Sequence, residues 1–184
     1  MKRILISIAA CLLCLSVFSE TKQSKADSAS ILYNAHSEIR LNLLMAVMGY
    51  PEVSIEHYAT NNSGFGLGLA LALEKPEIVY SRLIATPFYR FYFGSKRASG
   101  LFIECFGMMT VAEIEGGYSG SFYSSYYYRQ PSKEVDLGFG ASLGYKLLTK
   151  SGLTGNLTLG VGRLYQSIGT SAYPRIEVAI GKRF

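Results

Sequence analysis

Residues 64–73 alternate between large apolar side chains and very small ones. Every odd position, from Phe65 to Leu73, is phenylalanine or leucine, and every even position is glycine or alanine. Successive side chains of a β-strand point to opposite faces, whereas a helix would spread this pattern around its surface. The segment therefore predicts a strand whose wholly apolar face contacts lipid and whose small face lines a crowded interior. A soluble barrel, the alternative, would place the bulk inside and polar groups outside.

Alternation of this kind recurs along the chain and predicts eight strands. Short turns, such as the Asn-Asn-Ser-Gly segment at 61–64, alternate with longer loops. Strands of about ten residues cross a bilayer when tilted. The last strand is expected to pair with the first, which gives an all-β fold: an eight-stranded antiparallel up-and-down transmembrane β-barrel, filled by its own side chains. The predicted strands are 38–48, 53–60, 64–73, 83–93, 101–112, 135–148, 153–164 and 174–184.

The first 19 residues have the features of a secretory signal peptide. Lys2 and Arg3 precede an apolar run over 4–18, and small residues lie near Ser19. The alternatives are an uncleaved anchor, for which the run is shorter than the roughly 20 residues of a spanning helix, and a lipidated N-terminus at Cys11. We expect 20–37 to be a short periplasmic segment and 38–184 to be the barrel.

The composition of the predicted mature chain excludes several classes of protein. Removing the signal leaves Cys105 as the single cysteine, so neither an internal disulfide nor a cysteine metal cluster is expected. The formal charge falls from +5 to about +3, and the basic residues are scattered. We therefore predict no nucleic-acid partner, no metal and no cofactor.

Charged residues on the polar faces of the strands predict a network inside the lumen. Arg90 and Glu104 are equally far from Arg97, the middle of the predicted turn at 94–100. Residues opposite each other in a hairpin share such a centre, so the two are expected to form a shielded, charge-assisted pair. We interpret the pair as part of an interior plug; the alternative is a proton or ion path. The predicted luminal residues are Arg40, Glu56, Arg90, Glu104, Arg175 and Glu177.

Residues for catalysis are sparse. The only histidines are His36 and His57, the only aspartates are Asp27 and Asp136, and no motif places them as a triad. We predict that the chain is not an enzyme; a membrane-embedded hydrolase or acyltransferase is the alternative.

The longest predicted loop, 113–134, is rich in tyrosine, serine and glycine. Recognition loops favour this mixture because it combines contact area with adaptable hydrogen bonding. The loop is thus a candidate surface for an extracellular ligand, although it could instead extend the strands and form an aromatic girdle. Its candidate recognition residues are Tyr118, Tyr123, Tyr126, Tyr127 and Tyr128.

Over residues 38–184 the chain resembles the small outer-membrane β-barrel proteins of unknown function that are common in Bacteroidota. The resemblance is carried by NLL at 42–44, SIE at 54–56, PFYRFYFG at 87–94, GLFIE at 100–104 and the terminal Phe184. Phe184 also resembles the signal read by the barrel-assembly machinery, although Lys182 departs from that pattern. The resemblance implies a location in the outer membrane, with its lipid and the assembly machinery as partners.

Together these features predict a non-catalytic outer-membrane barrel with a structural or surface-interaction role. The alternative is a narrow channel or a transporter of small ligands.

Overall fold

Ten strands and one short helix are present in the computed structural model, which describes residues 35–73, 81–114, 117–119, 127–129, 132–166 and 169–184. In chain order they are β1 (Ser37–Asn42), α1 (Leu43–Val47), β2 (Glu52–Tyr58), β3 (Ser63–Leu71), β4 (Ser81–Tyr92), β5 (Gly100–Ile114), β6 (Gly117–Ser119), β7 (Tyr127–Arg129), β8 (Ser132–Leu148), β9 (Leu153–Gln166) and β10 (Gly169–Arg183).

Eight of these strands form a closed barrel in which neighbours along the chain are neighbours in the sheet. The order is β1-β2-β3-β4-β5-β8-β9-β10, and β10 returns to β1. Each pair is antiparallel, while β6 and β7 pair only with each other. The predicted fold class, an eight-stranded up-and-down antiparallel barrel, is confirmed.

The barrel closes where β1 meets β10. Their register runs from Glu38 opposite Arg183 to Asn42 opposite Ala179. Ser37 and Phe184 exchange two backbone hydrogen bonds, of 3.1 and 3.0 Å. The side chain of Phe184 points outward and is exposed. We call this rim, which also carries the turns after β2, β4 and β8, the turn end, and the opposite rim the loop end.

The predicted first strand is wrong beyond Asn42, because Leu43–Val47 forms α1 rather than more of β1. The Asn42 side chain caps the helix by accepting a hydrogen bond of 3.3 Å from the Met45 backbone N–H. Asparagine is a strong N-cap, and leucine, methionine and alanine are good helix formers. Within the described residues, no helix is long and apolar enough to cross a membrane.

Several other predicted strands are too short at the loop end, whereas the predicted third strand, 64–73, is too long there because β3 ends at Leu71. Strand β5 continues to Ile114 and β8 begins at Ser132, and these two residues are partners in the sheet. Strand β10 begins at Gly169 rather than at Pro174. Strands β5, β8, β9 and β10 therefore extend further towards the loop end of the barrel than β1 and β2 do.

The inner face of β3 carries small residues because bulky groups from the neighbouring strands lie against it. A Cβ atom on Gly66 would lie 2.4 Å from the Phe88 ring and 2.2 Å from the Ile55 carbonyl oxygen. A Cβ on Gly68 would lie 2.6 Å from the Glu52 carboxylate. The large side chains of β3, such as Leu69, are exposed on the outer surface. Glycine on the inner face thus makes room for a ring and a charged group from neighbouring strands.

We expect Gly66→Ala to lower the free energy of unfolding by about 1–3 kcal/mol, the usual cost of overpacking. Urea unfolding of the protein refolded in detergent, followed by gel mobility without heating, measures the change. Gly155→Ala is the matched control, because its Cβ would meet only the Leu147 Cβ at 3.9 Å. Equal stability of the two variants would contradict the packing described here.

Candidate functional site

Ten charged side chains inside the barrel form one connected set of ion pairs, which we call the luminal charge network. It contains equal numbers of carboxylates and cations, and each of these side chains is at least nine-tenths buried. Its five acidic members are Glu38, Glu52, Glu56, Glu104 and Glu177, and its five basic members are Arg40, Arg90, Lys146, Arg175 and Arg183.

Arg90 lies at the centre of this network. It is directly opposite Glu104 in the sheet, and its Nε donates to Glu104 Oε2 at 2.6 Å. Its other nitrogens reach Glu177 Oε2 at 2.8 Å and Glu56 Oε2 at 3.5 Å. A single guanidinium on β4 thereby joins carboxylates from β2, β5 and β10.

The other predicted luminal residues lie in the same network. Arg40 is paired with Glu56, and its Nε lies 3.3 Å from Glu177 Oε1. Arg175 donates from Nε to Glu104 Oε1 at 2.7 Å. The six residues singled out from the sequence are thus brought together, across the β1–β10 seam.

Four members of the network were missed by the sequence reasoning: Glu38, Glu52, Lys146 and Arg183. Lys146 Nζ lies 2.8 Å from Glu56 Oε2 and 3.3 Å from Glu38 Oε2. Both Lys146 and Arg183 lie near strand ends, where charged side chains usually reach water. The alternation of inward and outward side chains could have identified both residues. Lys146 follows the outward-facing Tyr145, and Arg183 precedes the outward-facing Phe184.

Aromatic rings fill the space between the ion pairs. The Arg90 Cζ atom lies 4.7 Å from the Phe88 ring centroid and 4.5 Å from that of Phe102. Lys146 Nζ lies 4.9 Å from the Tyr92 centroid, and the Tyr92 hydroxyl donates to Glu56 Oε1 at 2.5 Å. Cation–π contacts of this kind strengthen when water is excluded.

Two clusters of buried residues lie on either side of the network. At the turn end the cluster contains Tyr58, Tyr92, Ala98 and Phe102. Towards the loop end it contains Ala70, Ile84, Met108 and Leu164. Hydrophobic side chains therefore lie on both sides of the network.

The turn between β4 and β5 folds back against the turn end of the lumen. Ala98 is fully buried and has a φ of 42°, a left-handed conformation that is uncommon for a residue with a Cβ. Arg183 holds this turn by donating to the Ala98 carbonyl and, at 2.9 Å, to the Arg97 carbonyl. The Ala98 N–H donates to Asn61 O at 2.7 Å.

The candidate recognition loop is described only in part. Tyr118 lies in β6 opposite Tyr128 of β7, and Tyr127 lies opposite Ser119. Tyr123 and Tyr126 lie outside the described residues. Part of the predicted loop is strand, since β5 and β8 pair as far as Ile114 and Ser132.

The two histidines lie at the turn end, outside the lumen. Ser37 Oγ is 3.2 Å from His57 Nδ1, a contact that the sequence reasoning did not foresee. His36 stacks on His57 with ring centroids 6.4 Å apart, and its Nδ1 lies 3.1 Å from Arg97. Among the residues described, no group of histidine, cysteine, aspartate or glutamate could hold a metal ion.

The chain is similar to one solved structure, that of the N-terminal β-barrel domain of Pseudomonas aeruginosa OprF. The two share 15% sequence identity with a TM-score of 0.47, and the match covers 82% of this chain and 98% of that one. No protein-family model matches the chain, and no curated protein matches it in sequence. The architecture rests on the strand pairing described above, and the resemblance to the barrels of Bacteroidota stays a prediction.

We expect Arg90→Met to cost about 3–5 kcal/mol of unfolding free energy, because it leaves buried carboxylates without their cation. The double variant Arg90→Met/Glu104→Met should lose less than the sum of the two single variants, since it removes one charge of each sign. Urea unfolding of all three variants in detergent measures this coupling. Lys150→Met, which removes an exposed lysine, should change the stability by no more than about 0.5 kcal/mol. Strict additivity of the two single changes would refute the pairing.

We also expect Arg183→Gln to release the turn that carries Lys96 and Arg97. Trypsin should then cleave after these residues at least roughly tenfold faster, because a hydrogen bond to a charged group contributes about 1.5–3 kcal/mol. Mass spectrometry of the fragments from folded protein in detergent identifies the site. Lys182→Gln is the control, because among the described residues the Lys182 amine donates to Ser151 O and not to the turn after β4. Equal cleavage of the two variants would show that Arg183 does not hold the turn.

Proposed function

We propose that the chain is an outer-membrane β-barrel protein with a structural or surface-interaction role and no catalytic activity. The observation that carries this proposal is the inversion of polarity across the wall of the barrel. Charged side chains are neutralised inside, and large apolar side chains are exposed outside. This is the arrangement that a bilayer requires and that water disfavours.

The outer surface supports the proposed membrane location. Exposed leucine, isoleucine and valine side chains occur on seven of the eight barrel strands, and β4 exposes Tyr89 and Phe91 instead. This is far more apolar surface than a soluble monomer normally exposes. Aromatic side chains gather near the turn end, as in the interfacial girdles of membrane barrels. They are Phe65, Phe91, Phe93, Tyr145 and Phe184.

The lumen favours a structural role over the alternative of a channel. The luminal charge network pairs five carboxylates with five cations, so the network itself carries no net charge that would select an ion. Phe88, Phe102 and Phe106 are buried among these charges. A pore would need water where these rings and ion pairs lie.

The surface-interaction part of the proposal rests on the loop end. Strands β5 and β8 are the longest pair in contact, and the β6–β7 hairpin with Tyr118, Tyr127 and Tyr128 lies in the segment that joins them. An extracellular ligand would be recognised there, whereas the assembly machinery would read Phe184 at the other rim.

The proposal predicts that the protein is recovered from the detergent-extracted outer-membrane fraction and migrates differently on gels before and after heating. The same purified material, inserted in planar lipid bilayers, should give no stable single-channel openings, because the network occludes the lumen. An open porin in the same bilayers is the control for insertion and recording.

Two results would count against this function. Recovery in the periplasmic extract would indicate a soluble ligand-binding barrel. Reproducible, ion-selective openings from the purified protein would favour the narrow channel.

A further inference from the structure

The barrel wall is incomplete on one side at the loop end. Strand β1 pairs with β10 only as far as Ala179, and the Val178 N–H donates to the side chain of Asn42 instead of to a strand. From there to Gly169, β10 has no described partner strand on this side. Pro174, which lacks a backbone N–H, lies in this stretch. Helix α1 takes the place that a longer β1 would occupy.

A cavity of about 110 Å³ lies at this break. It is lined by inward-facing residues of β10, such as Arg175, and also by outward-facing residues of the same strand, such as Ile176. One space can touch both faces of a strand only by passing around its edge. The cavity therefore connects the interior of the barrel with its outer, apolar surface.

The cavity is apolar for most of its length and polar at its inner end. Leu44 and Met45 of α1 line it, with Ala70 and Ile84 opposite. Arg175, Glu52 and Thr86 form the polar end. An apolar cavity of about 150 Å³ holds a benzene molecule, so this volume suits a small apolar group or part of a hydrocarbon chain.

Arg175 has hydrogen-bonding capacity that no residue in the described part of the chain uses. Its Nε donates to Glu104 at 2.7 Å, but its two terminal nitrogens approach Glu52 and Glu177 only at 3.7 Å, beyond hydrogen-bonding distance. The side chain is more than nine-tenths buried and lines the cavity. A ligand atom that accepts a hydrogen bond would satisfy these donors.

We propose that this cavity binds a neutral single-chain amphiphile drawn from the membrane, with its hydroxyl or carbonyl oxygen on Arg175 and its hydrocarbon chain leaving between α1 and β10. The head group is neutral because Glu52, Glu104 and Glu177 already surround Arg175, and a further carboxylate would be repelled. The lateral route rests on the proposed membrane location.

Binding can be measured by fluorescence quenching, because the chain contains no tryptophan. Met48→Trp places a single tryptophan on the lining of the cavity, and Leu143→Trp places one on the lipid-facing side of β8. Each variant is inserted in phosphatidylcholine vesicles and titrated with 11-bromoundecan-1-ol. We expect stronger quenching at Met48→Trp than at Leu143→Trp, with the excess removed by unbrominated undecan-1-ol. Equal quenching at the two positions would overturn the proposal.

Two further comparisons test the chemistry of the site. Adding Ala70→Leu to Met48→Trp should fill the cavity and abolish the excess quenching, whereas the lipid-facing control Ala141→Leu should keep it. If Ala70→Leu does not fold, competition by undecan-1-ol still decides the question.

The head group is tested with 1-bromoundecane and 11-bromoundecanoate. Each should bind roughly three- to tenfold more weakly than the alcohol, the effect of losing a hydrogen bond or adding a repelled charge. Binding of the alkane as tight as that of the alcohol, or tighter binding of the carboxylate, would refute the assignment of Arg175. Failure of the protein to enter vesicles at all would refute the membrane location instead.

Discussion

Mutual neutralisation of the ten charges in the luminal charge network is the constraint on which the rest of this structure depends. The lumen removes these groups from water, so each must be matched within the barrel itself. The matching partners come from different strands: Lys146 of β8 meets Glu38 of β1, and Arg90 of β4 meets Glu177 of β10. A one-residue slip of any strand would turn its charged residues towards the outside. The network therefore fixes the register of strands that are far apart in sequence.

The same constraint explains why glycine and aromatic residues occur together on the inner faces. A buried guanidinium group is stabilised by a neighbour that is apolar yet attracts a cation. The ring faces of Phe88 and Phe102 contact Arg90 in this way. Those rings occupy space that a neighbouring strand must give up. Gly66 gives that space to Phe88, and Gly144 gives it to Phe102, whose ring atom lies 2.3 Å from where a Cβ would be. These inner-face glycines therefore provide the space that the aromatic rings occupy.

Alternation and hairpin symmetry in the sequence were enough to predict the strand count, the closure of the barrel and the position of Arg90 opposite Glu104. These depend on local periodicity, which the sequence displays directly. Helix α1 was not predicted because Leu43, Met45 and Val47 also fit the alternation of a strand, and the capping role of Asn42 was not recognised. Lys146 and Arg183 were missed because their burial depends on partners from distant strands and on the inward fold of the turn after β4. The break in the barrel wall between α1 and β10 depends on the same helix, so no pattern in the sequence indicated it.

The contact between Arg183 and the turn that contains Ala98 has a consequence for the order of assembly. The two partners are 86 residues apart, and the turn belongs to a hairpin that can form long before β10 is in place. Until β10 docks, the carbonyls of Arg97 and Ala98 lack the guanidinium that binds them, and Ala98 adopts its left-handed conformation without this contact. A partly assembled barrel therefore lacks the Arg183 contacts at the turn end, and the step that joins the first and last strands is also the step that adds them.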